Sequence, residues 1–394
     1  MIDLNSSSPS LSISPSRQFL FDAIVVGAGI IGLAHAALLA RQGKRVLVLE
    51  REQRAIGASV RNFGMIWPIG QPLGPMRDMA MRSRDLWKEI LDESGTWYEA
   101  KGSLHLAYAD DELEVLREFV DLAQEEPEGP AIVSPEEASR MSPPIRQEGL
   151  RGAMYSPSEL CVDPRLTASS LTRHLSERWD VTFRFGMSVT DIRSGIVKVG
   201  SEVFEADEVF VCVGPTPGDL FPELLWDRGV KLCKLQMMRA RPKSPNYRIG
   251  PHLCAGLTLL HYNNFEPCPS LSWVRDRFAS ELPEYLENHI HLLVSQHGDG
   301  ALTIGDSHEY GRSFAPFSDD RIDQLILDYL DTFLPCEEFE IVQRWQGFYP
   351  KHPTESFLVE SPFPGVTVVN VLSGIGMTLS FGLADHVLKS EVRA

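Results

Sequence analysis

Residues 25–34 read VVGAGIIGLA and place Gly27, Gly29 and Gly32 in G-x-G-x-x-G spacing. The chemistry this permits is anion binding by backbone. Gly27 allows a tight turn, Gly29 lets the main chain approach a diphosphate, and Gly32 lets helix and strand pack closely. A helix starting there turns free N–H groups and a positive dipole end toward the phosphates. Glu50 closes the next apolar run, KRVLVLE, where a carboxylate can accept from ribose hydroxyls. An acid at that place favours a free 2′-hydroxyl over a 2′-phosphate, so FAD or NAD fits better than NADP. The flanking pattern supports a ligand over an empty glycine turn. DAIVVG reads as a strand, GIIGLAHAALLARQG as a helix and KRVLVLE as a second strand.

A second glycine-rich loop, SGIGMTLSFG, spans residues 373–382, between the apolar run VTVVNVL and an amphipathic helix pattern. REQRAIGASVRNFGMIWP follows Glu50 directly and carries Arg61, Asn62, Phe63 and Gly64, a segment able to run beneath a flavin. DEVFVCVGP is a further strand ending on Gly214. No metal-ligand spacing and no Ser-His-Asp pattern stands out.

These pieces must be positioned by elements spread along the chain. Helices are expected at 76–94, 110–125, 134–141 and 321–334, and after Pro164, with Ser134 as an N-cap. Between 230 and 310, KLQMMRARP, AGLTLLHY, HIHLLVSQ and ALTIGD read as short strands of a mostly antiparallel sheet. EIVQRWQGFYP reads as a strand running into a loop.

The 394 residues carry a formal net charge of −17, which disfavours a nucleic-acid phosphate backbone as partner. The six cysteines form neither a C-x-x-C pair nor a zinc-finger pattern, and fit free thiols in a reducing, cytoplasmic setting. No apolar run has the length of a transmembrane helix, so no membrane partner is expected. The serine-rich first twenty residues read as a flexible arm.

The ordered set DAIVVGAGIIGLAHAALLARQGKRVLVLE, GASVRNFG, GAMYSPSELCVDP, DEVFVCVGP, RWQGFYP and SGIGMTLSFGLA resembles the D-amino-acid oxidase superfamily of FAD-dependent amine oxidoreductases, in its glycine oxidase and sarcosine oxidase branch. The resemblance covers most of the chain from residue 21. It implies an α/β (α+β overall) fold: a Rossmann-like FAD-binding domain from 21–75, 150–225 and 340–394, and a substrate domain with a large mixed or antiparallel sheet from 76–149 and 226–339. It also implies that Gly27, Gly29, Gly32, Glu50 and Arg51 hold the ADP half. Ser59, Arg61, Asn62, Gly64 and Met65 would line the flavin and phosphates, Gly214 would close near the adenosine, and Gly374, Gly376, Met377 and Thr378 would meet the pyrimidine end of the flavin. Some relatives tie FAD to a late cysteine. GFYPKHPTES has none, and Cys336 is expected to be buried, so FAD should be non-covalent.

The family's W-x-G-x-x-P stretch commonly carries an arginine before the proline, paired with a substrate carboxylate. Here that place holds Tyr349, which donates one hydrogen bond and carries no charge at neutral pH. Substrate contacts are therefore expected from Arg61, Gln236, Tyr262, Arg312, Tyr349, Lys351 and His352. The clusters His261-Tyr262-Asn263 and Ser307-His308-Glu309-Tyr310 fit a pocket wall or ordinary strand ends and turns. RNFGMIWP, GDSHEYG, RWQGFYP and GIGMTLSFG further resemble a subgroup linked with aminophosphonate breakdown, which implies 2-aminoethylphosphonate or an N-methyl derivative as substrate. A glycine- or sarcosine-like oxidase, an FAD amine dehydrogenase with another acceptor than O2, and a non-catalytic flavin-binding subunit remain alternatives. No acid or base side chain is required for hydride transfer, so no catalytic residue is assigned, and the oligomeric state is left open.

Overall fold

The computed structural model describes residues 20–214 and 220–391. The expected N-terminal arm lies almost entirely outside them. No helix among the described residues is long and apolar enough to cross a membrane.

Two large sheets carry the fold. The first has eight strands. Its centre is parallel: Leu20–Val26 pairs with Val46–Glu50 on one side and Glu202–Val211 on the other, and Thr182–Phe185 and Val366–Val371 extend it. Such strands are covered on both faces and therefore read as unbroken apolar runs, as IVV, VLVL and VTVVNV do. The helix Ile30–Arg41 is buried around most of its circumference, from Ile30 to Leu39. It packs against the helices Pro164–Trp179 and Gly376–Glu391.

The second sheet has nine strands. Every pairing in it is antiparallel except that of Ser103–Ala107 with His252–Ala255. Its longest members, Lys231–Pro242 and Phe339–Lys351, pair over almost their whole length. Strand pairing puts Phe339–Lys351 and Gly152–Ser156 in this second sheet, whereas the sequence division groups 340–394 and 150–225 with the first. Conversely, the helix Pro75–Ser94 shares a core with the first sheet's helices through Ala80, Leu86, Trp87, Ile90 and Leu91.

Three local expectations are corrected. AGLTLLHY is not a strand: the strand stops at Ala255 and a 3-10 turn covers Gly256–Leu260. That turn is held by Leu257 N donating to the Tyr329 hydroxyl at 2.9 Å and Thr258 Oγ1 donating to Leu292 O at 2.9 Å. RWQGFYP does not leave its strand, which continues through Pro350 to Lys351. Among the described residues this strand's one ladder is with Lys231–Pro242, with a single further bridge from Lys351 to Ser373, and such an edge position tolerates a proline. The 230–310 region also contains the helices Leu271–Glu281 and Pro283–Glu287.

Candidate active site

A cavity of about 750 Å³ lies between the two sheets. One end is built from the first glycine loop. Val26 ends its strand with its carbonyl accepting from Cys212 N at 2.8 Å, and Gly27 N donates to Leu49 O at 2.8 Å, so the turn is locked between neighbouring strands. A Cβ at Gly32 would run into the Gly27 carbonyl, so only glycine allows the helix to start this close to the strand. Ser59 Oγ accepts from Ile30 N at 2.9 Å and holds the helix start against the 57–64 loop.

Glu50 sits at the same end. Its Oε2 accepts from Ala28 N at 2.8 Å and its Oε1 from Glu52 N at 3.0 Å, which orients the carboxylate along the cavity wall. A carboxylate offers about four lone-pair sites, so further acceptance from ribose hydroxyls is compatible with these bonds. Met187, Ser188 and Val189 close this end, a contribution from the loop after Thr182–Phe185 that no sequence motif announced.

The late glycine loop forms a middle wall. Ser373, Gly374, Ile375, Gly376 and Met377 all face the cavity, and the last helix starts at Gly376. The Trp87 indole N–H donates to Met377 O at 2.8 Å, and Thr378 Oγ1 accepts from Trp67 N at 2.9 Å. Gly374 has φ of +76°, and a Cβ there would press on the Tyr349 ring. The glycine thus lets Tyr349 lie across the loop.

The far end is polar. His261, Tyr262, His291, Asp306, His308 and Tyr349 line it. The 3-10 turn that interrupts AGLTLLHY delivers His261 and Tyr262, while His291 and Asp306 are linked by backbone bonds of 2.9 and 3.2 Å. Burial pushes the Tyr349 and Tyr262 phenols well above their usual value, so both are hydrogen-bonding hydroxyls at neutral pH. Burial likewise lowers His308 to about 4 and His261 well below the ordinary imidazole range.

Of the residues expected to hold cofactor, Gly27, Gly29, Glu50, Arg51, Ser59, Arg61, Asn62, Gly214, Gly374, Gly376 and Met377 line this one cavity. Gly32, Gly64, Met65 and Thr378 do not. Gly32 serves packing. Met65 pairs with Cys161 in a small sheet, Gly64 O accepts from Val162 N at 2.8 Å, and the Thr378 hydroxyl is taken by Trp67. Cys336 is partly exposed rather than buried, and all six cysteines are free.

Of the expected substrate contacts, Arg61, Tyr262 and Tyr349 line the cavity. Arg61 is steadied by Nε donating to Ile56 O at 2.9 Å and Nη1 to Gln346 O at 3.3 Å. Lys351 lies two residues beyond Tyr349 on the same strand, half-buried, and burial lowers its ammonium pKa. Three expectations are corrected. Gln236 points away from the cavity: its amide donates to Asp323 Oδ1 at 2.8 Å and accepts from Asp319 N at 2.7 Å, tying the strand to the helix Asp320–Asp331. Arg312 stacks on Trp226 and donates to its carbonyl at 2.9 Å. His352 accepts from Glu355 N at 2.9 Å and shapes a turn.

A parallel-centred sheet with a glycine loop, a carboxylate at the second strand's end and a cavity of this size defines a dinucleotide-dependent enzyme fold. The family model for FAD-dependent oxidoreductases matches residues 22–389, and the chain belongs to that family. It is 27% identical over 171 residues to human mitochondrial sarcosine dehydrogenase, 42% of this chain and 18% of that protein. It is 26% identical over 206 residues to glycine oxidase of Geobacillus kaustophilus, 49% of this chain and 54% of the relative. The chain thus spans about half or less of the length of these curated relatives. Among solved structures, glycine oxidase from Geobacillus kaustophilus superposes with a TM-score of 0.74 at 22% identity, covering 94% of this chain and 95% of that one. L-proline dehydrogenase from P. horikoshii gives 0.76 at 18% identity, covering 94% and 93%. Iminodiacetate oxidase from Chelativorans sp. BNC1 gives 0.74 at 20%, covering 94% and 95%. The shared fold is that of FAD-dependent oxidoreductases, and FAD is the cofactor. The glycine-loop end fits its ADP half through close backbone approach, a helix N-terminus and the Glu50 carboxylate.

Proposed function

We propose that this protein oxidises the C–N unit of a small primary or secondary amine carrying an anionic head group, with 2-aminoethylphosphonate or its N-methyl derivative as substrate and O2 as electron acceptor. The observation that carries the reading is the single cavity running from the first glycine loop and Glu50 to Tyr262 and Tyr349. One molecule bound at the loop end therefore shares a space with a second, small and polar molecule at the other.

Bound non-covalently, FAD supplies the two-electron acceptor for hydride leaving the carbon next to nitrogen. The chain's residues bind and orient. Gly376 and Met377 present a helix start to the cavity, a fixed positive dipole end that stabilises negative charge. Tyr262 and Tyr349 offer hydroxyl donors at the polar end. Arg61 is the cavity-lining cation on the 57–64 loop, and Lys351 lies near the polar end. The substrate amine must be neutral when hydride departs, and the imine product hydrolyses to a carbonyl compound plus ammonia or methylamine.

Two observations support the head group. Tyr349 stands where the resembling family carries its carboxylate-binding arginine, and RNFGMIWP, GDSHEYG and RWQGFYP resemble the aminophosphonate subgroup. The similarity to glycine oxidase and iminodiacetate oxidase supports small amino compounds in general.

The test is anaerobic bleaching of the yellow holoenzyme by a panel of glycine, sarcosine, iminodiacetate, 2-aminoethylphosphonate and its N-methyl form. Fastest bleaching by a phosphonate is expected. Faster bleaching by a carboxylate overturns the head-group assignment, and bleaching by none overturns the amine reading. Tyr349→Arg sharpens it: turnover of a phosphonate should fall, whereas improved turnover of a carboxylate would place this enzyme with amino-acid oxidases. Stoichiometric hydrogen peroxide is expected in air. Turnover only with an artificial acceptor would make it a dehydrogenase.

A further inference from the structure

At the polar end of the cavity, one ring nitrogen from each of His261, His291 and His308 lies within 4.8 Å of the others. The three rings are stacked or tilted on one another, with centroids 3.7 Å apart for His261 and His291, 4.7 Å for His261 and His308, and 5.1 Å for His291 and His308. Neutral imidazole has one donor and one acceptor nitrogen, so the partners of one nitrogen determine what the other can do.

His308 Nδ1 lies 3.0 Å from the His289 carbonyl, which can only accept. The proton therefore sits on Nδ1, and His308 Nε2 carries a lone pair. His291 Nε2 lies 3.0 Å from Asp306 Oδ1. The two stand at ion-pair distance without hydrogen-bond geometry, and Asp306 Oδ1 and His291 Nδ1 are both buried with no hydrogen-bond partner among the described residues. His291 is only 3% exposed, so bulk water does not satisfy its Nδ1. His261 makes no side-chain hydrogen bond among the described residues, and it is the least buried of the three.

A buried imidazole nitrogen and a buried carboxylate oxygen, both unpartnered, call for a positive partner, because a buried polar atom left unsatisfied costs about 1–3 kcal/mol. A metal ion satisfies several at once. The His308 contact also matches what metal-bound histidines use, an imidazole backed by a backbone carbonyl that fixes its tautomer and ring orientation, and the Asp306 carboxylate stands 3.0 Å from the His291 ring.

We propose that His261, His291 and His308 form a site for a divalent transition-metal ion such as Zn(II), with Asp306 and the His289 carbonyl as its outer supports. Three imidazoles leave a four-coordinate ion one position for a ligand from the cavity that all three residues line. Anionic oxygen is the ligand class that suits it. Metal–nitrogen bonds of about 2.0–2.1 Å require the ring nitrogens to draw closer than they stand, and His261, with no side-chain hydrogen bond to break, is the ring able to turn.

The test uses the full-length, tag-free holoenzyme, stripped with chelator and titrated with Zn(II), then with Co(II) for its visible d–d bands. About one ion per chain is expected, with a four-coordinate Co(II) spectrum. Asp306→Asn should weaken binding roughly 10- to 100-fold. His308→Ala should lose the Co(II) bands. His261→Ala, at the partly exposed position, is the second variant should the buried one fail to fold, and retained flavin absorbance reports folding. No ion bound to the wild type, or an unchanged Co(II) spectrum in folded His261→Ala, overturns the proposal. Turnover is not the readout, so the result stands apart from the substrate assignment.

Discussion

The two ends of the cavity are made differently. At the cofactor end the wall is main chain: Gly27, Gly29, the turn around Ser59 and the loop at Gly374–Gly376. At the polar end it is side chains from scattered segments: His261, Tyr262, His291, Asp306, His308 and Tyr349. Main-chain binding requires that side chains be absent at set intervals, and absence at set intervals is a spacing. Side-chain binding requires only that the right groups arrive in one place, and the sheet register can deliver them from any position. The first kind of wall tolerates almost no added volume; the second should tolerate single changes with graded losses.

The hardest test of that contrast is Gly27→Val. Its side chain collides with the Cys212 carbonyl, which no rotamer change relieves. Loss of nearly all bound flavin is expected, read as visible absorbance per chain. Near-normal flavin content would break the argument that this end is sterically exacting.

Acid stability probes buried imidazoles beside the first glycine loop and away from it. His35, in the helix after the first loop, His252, in the second sheet, and His297, just past the strand Leu293–Gln296, are each lowered to about 4 by burial. Unfolded, they bind protons near pH 6.5, but folded they stay neutral to about 4. Unfolding therefore takes up protons in that window, and stability falls as pH drops from about 6.5 to 4. The slope is about 1.4 kcal/mol per pH unit for each group. Denaturant titrations at pH 7 and 5 should show the loss, and His35→Phe should remove roughly a third of the part due to these three. An unchanged slope in that variant would mean the His35 imidazole is already protonated.

Glu50→Gln keeps the shape and removes the charge that accepts from Ala28 and Glu52. Hydrogen bonds to charged groups are worth about 1.5–3 kcal/mol, so FAD affinity should fall roughly tenfold or more. Tyr349→Phe should cost about 1 kcal/mol, a several-fold rise in KM with flavin content intact. A loss of flavin would instead show that Tyr349 belongs to the cofactor end.

The smallest effect on turnover is expected for Gln236→Ala. It should cost about 1 kcal/mol of stability by freeing Asp319 and Asp323, and leave KM unchanged.

Gln236 also shows where reading the sequence ran out. A strand offers two faces, and KLQMMRARP alternates too weakly to say which one meets the cavity; packing against Asp320–Asp331 decides it. The β-α-β unit, the parallel strands and the late glycine loop were readable because apolar runs and glycine spacing are local signals. His291 and Asp306 were not, since HIHLLVSQ and ALTIGD read as ordinary strands and only the 293–296 and 302–305 pairing brings their ends together. AGLTLLHY misled through its β-branched and leucine content. Tertiary bonds to Tyr329 and Leu292 turn it into a 3-10 segment. Arg312 and His352 are expected at the substrate from the sequence, yet Arg312 is spent on the Trp226 carbonyl and His352 on the Arg228 carbonyl and a turn.

The bond from Trp67 N to Thr378 Oγ1 joins residues 311 apart in sequence. A nascent chain therefore exposes its first glycine loop long before the helix that completes the cavity exists, at synthesis rates of about 5–20 residues per second. Any early cofactor encounter meets half a site. The cofactor then acts as a late ligand of an assembled fold, shifting its stability by mass action. Flavin supply, and not only sequence, should set how much of this protein survives in a cell.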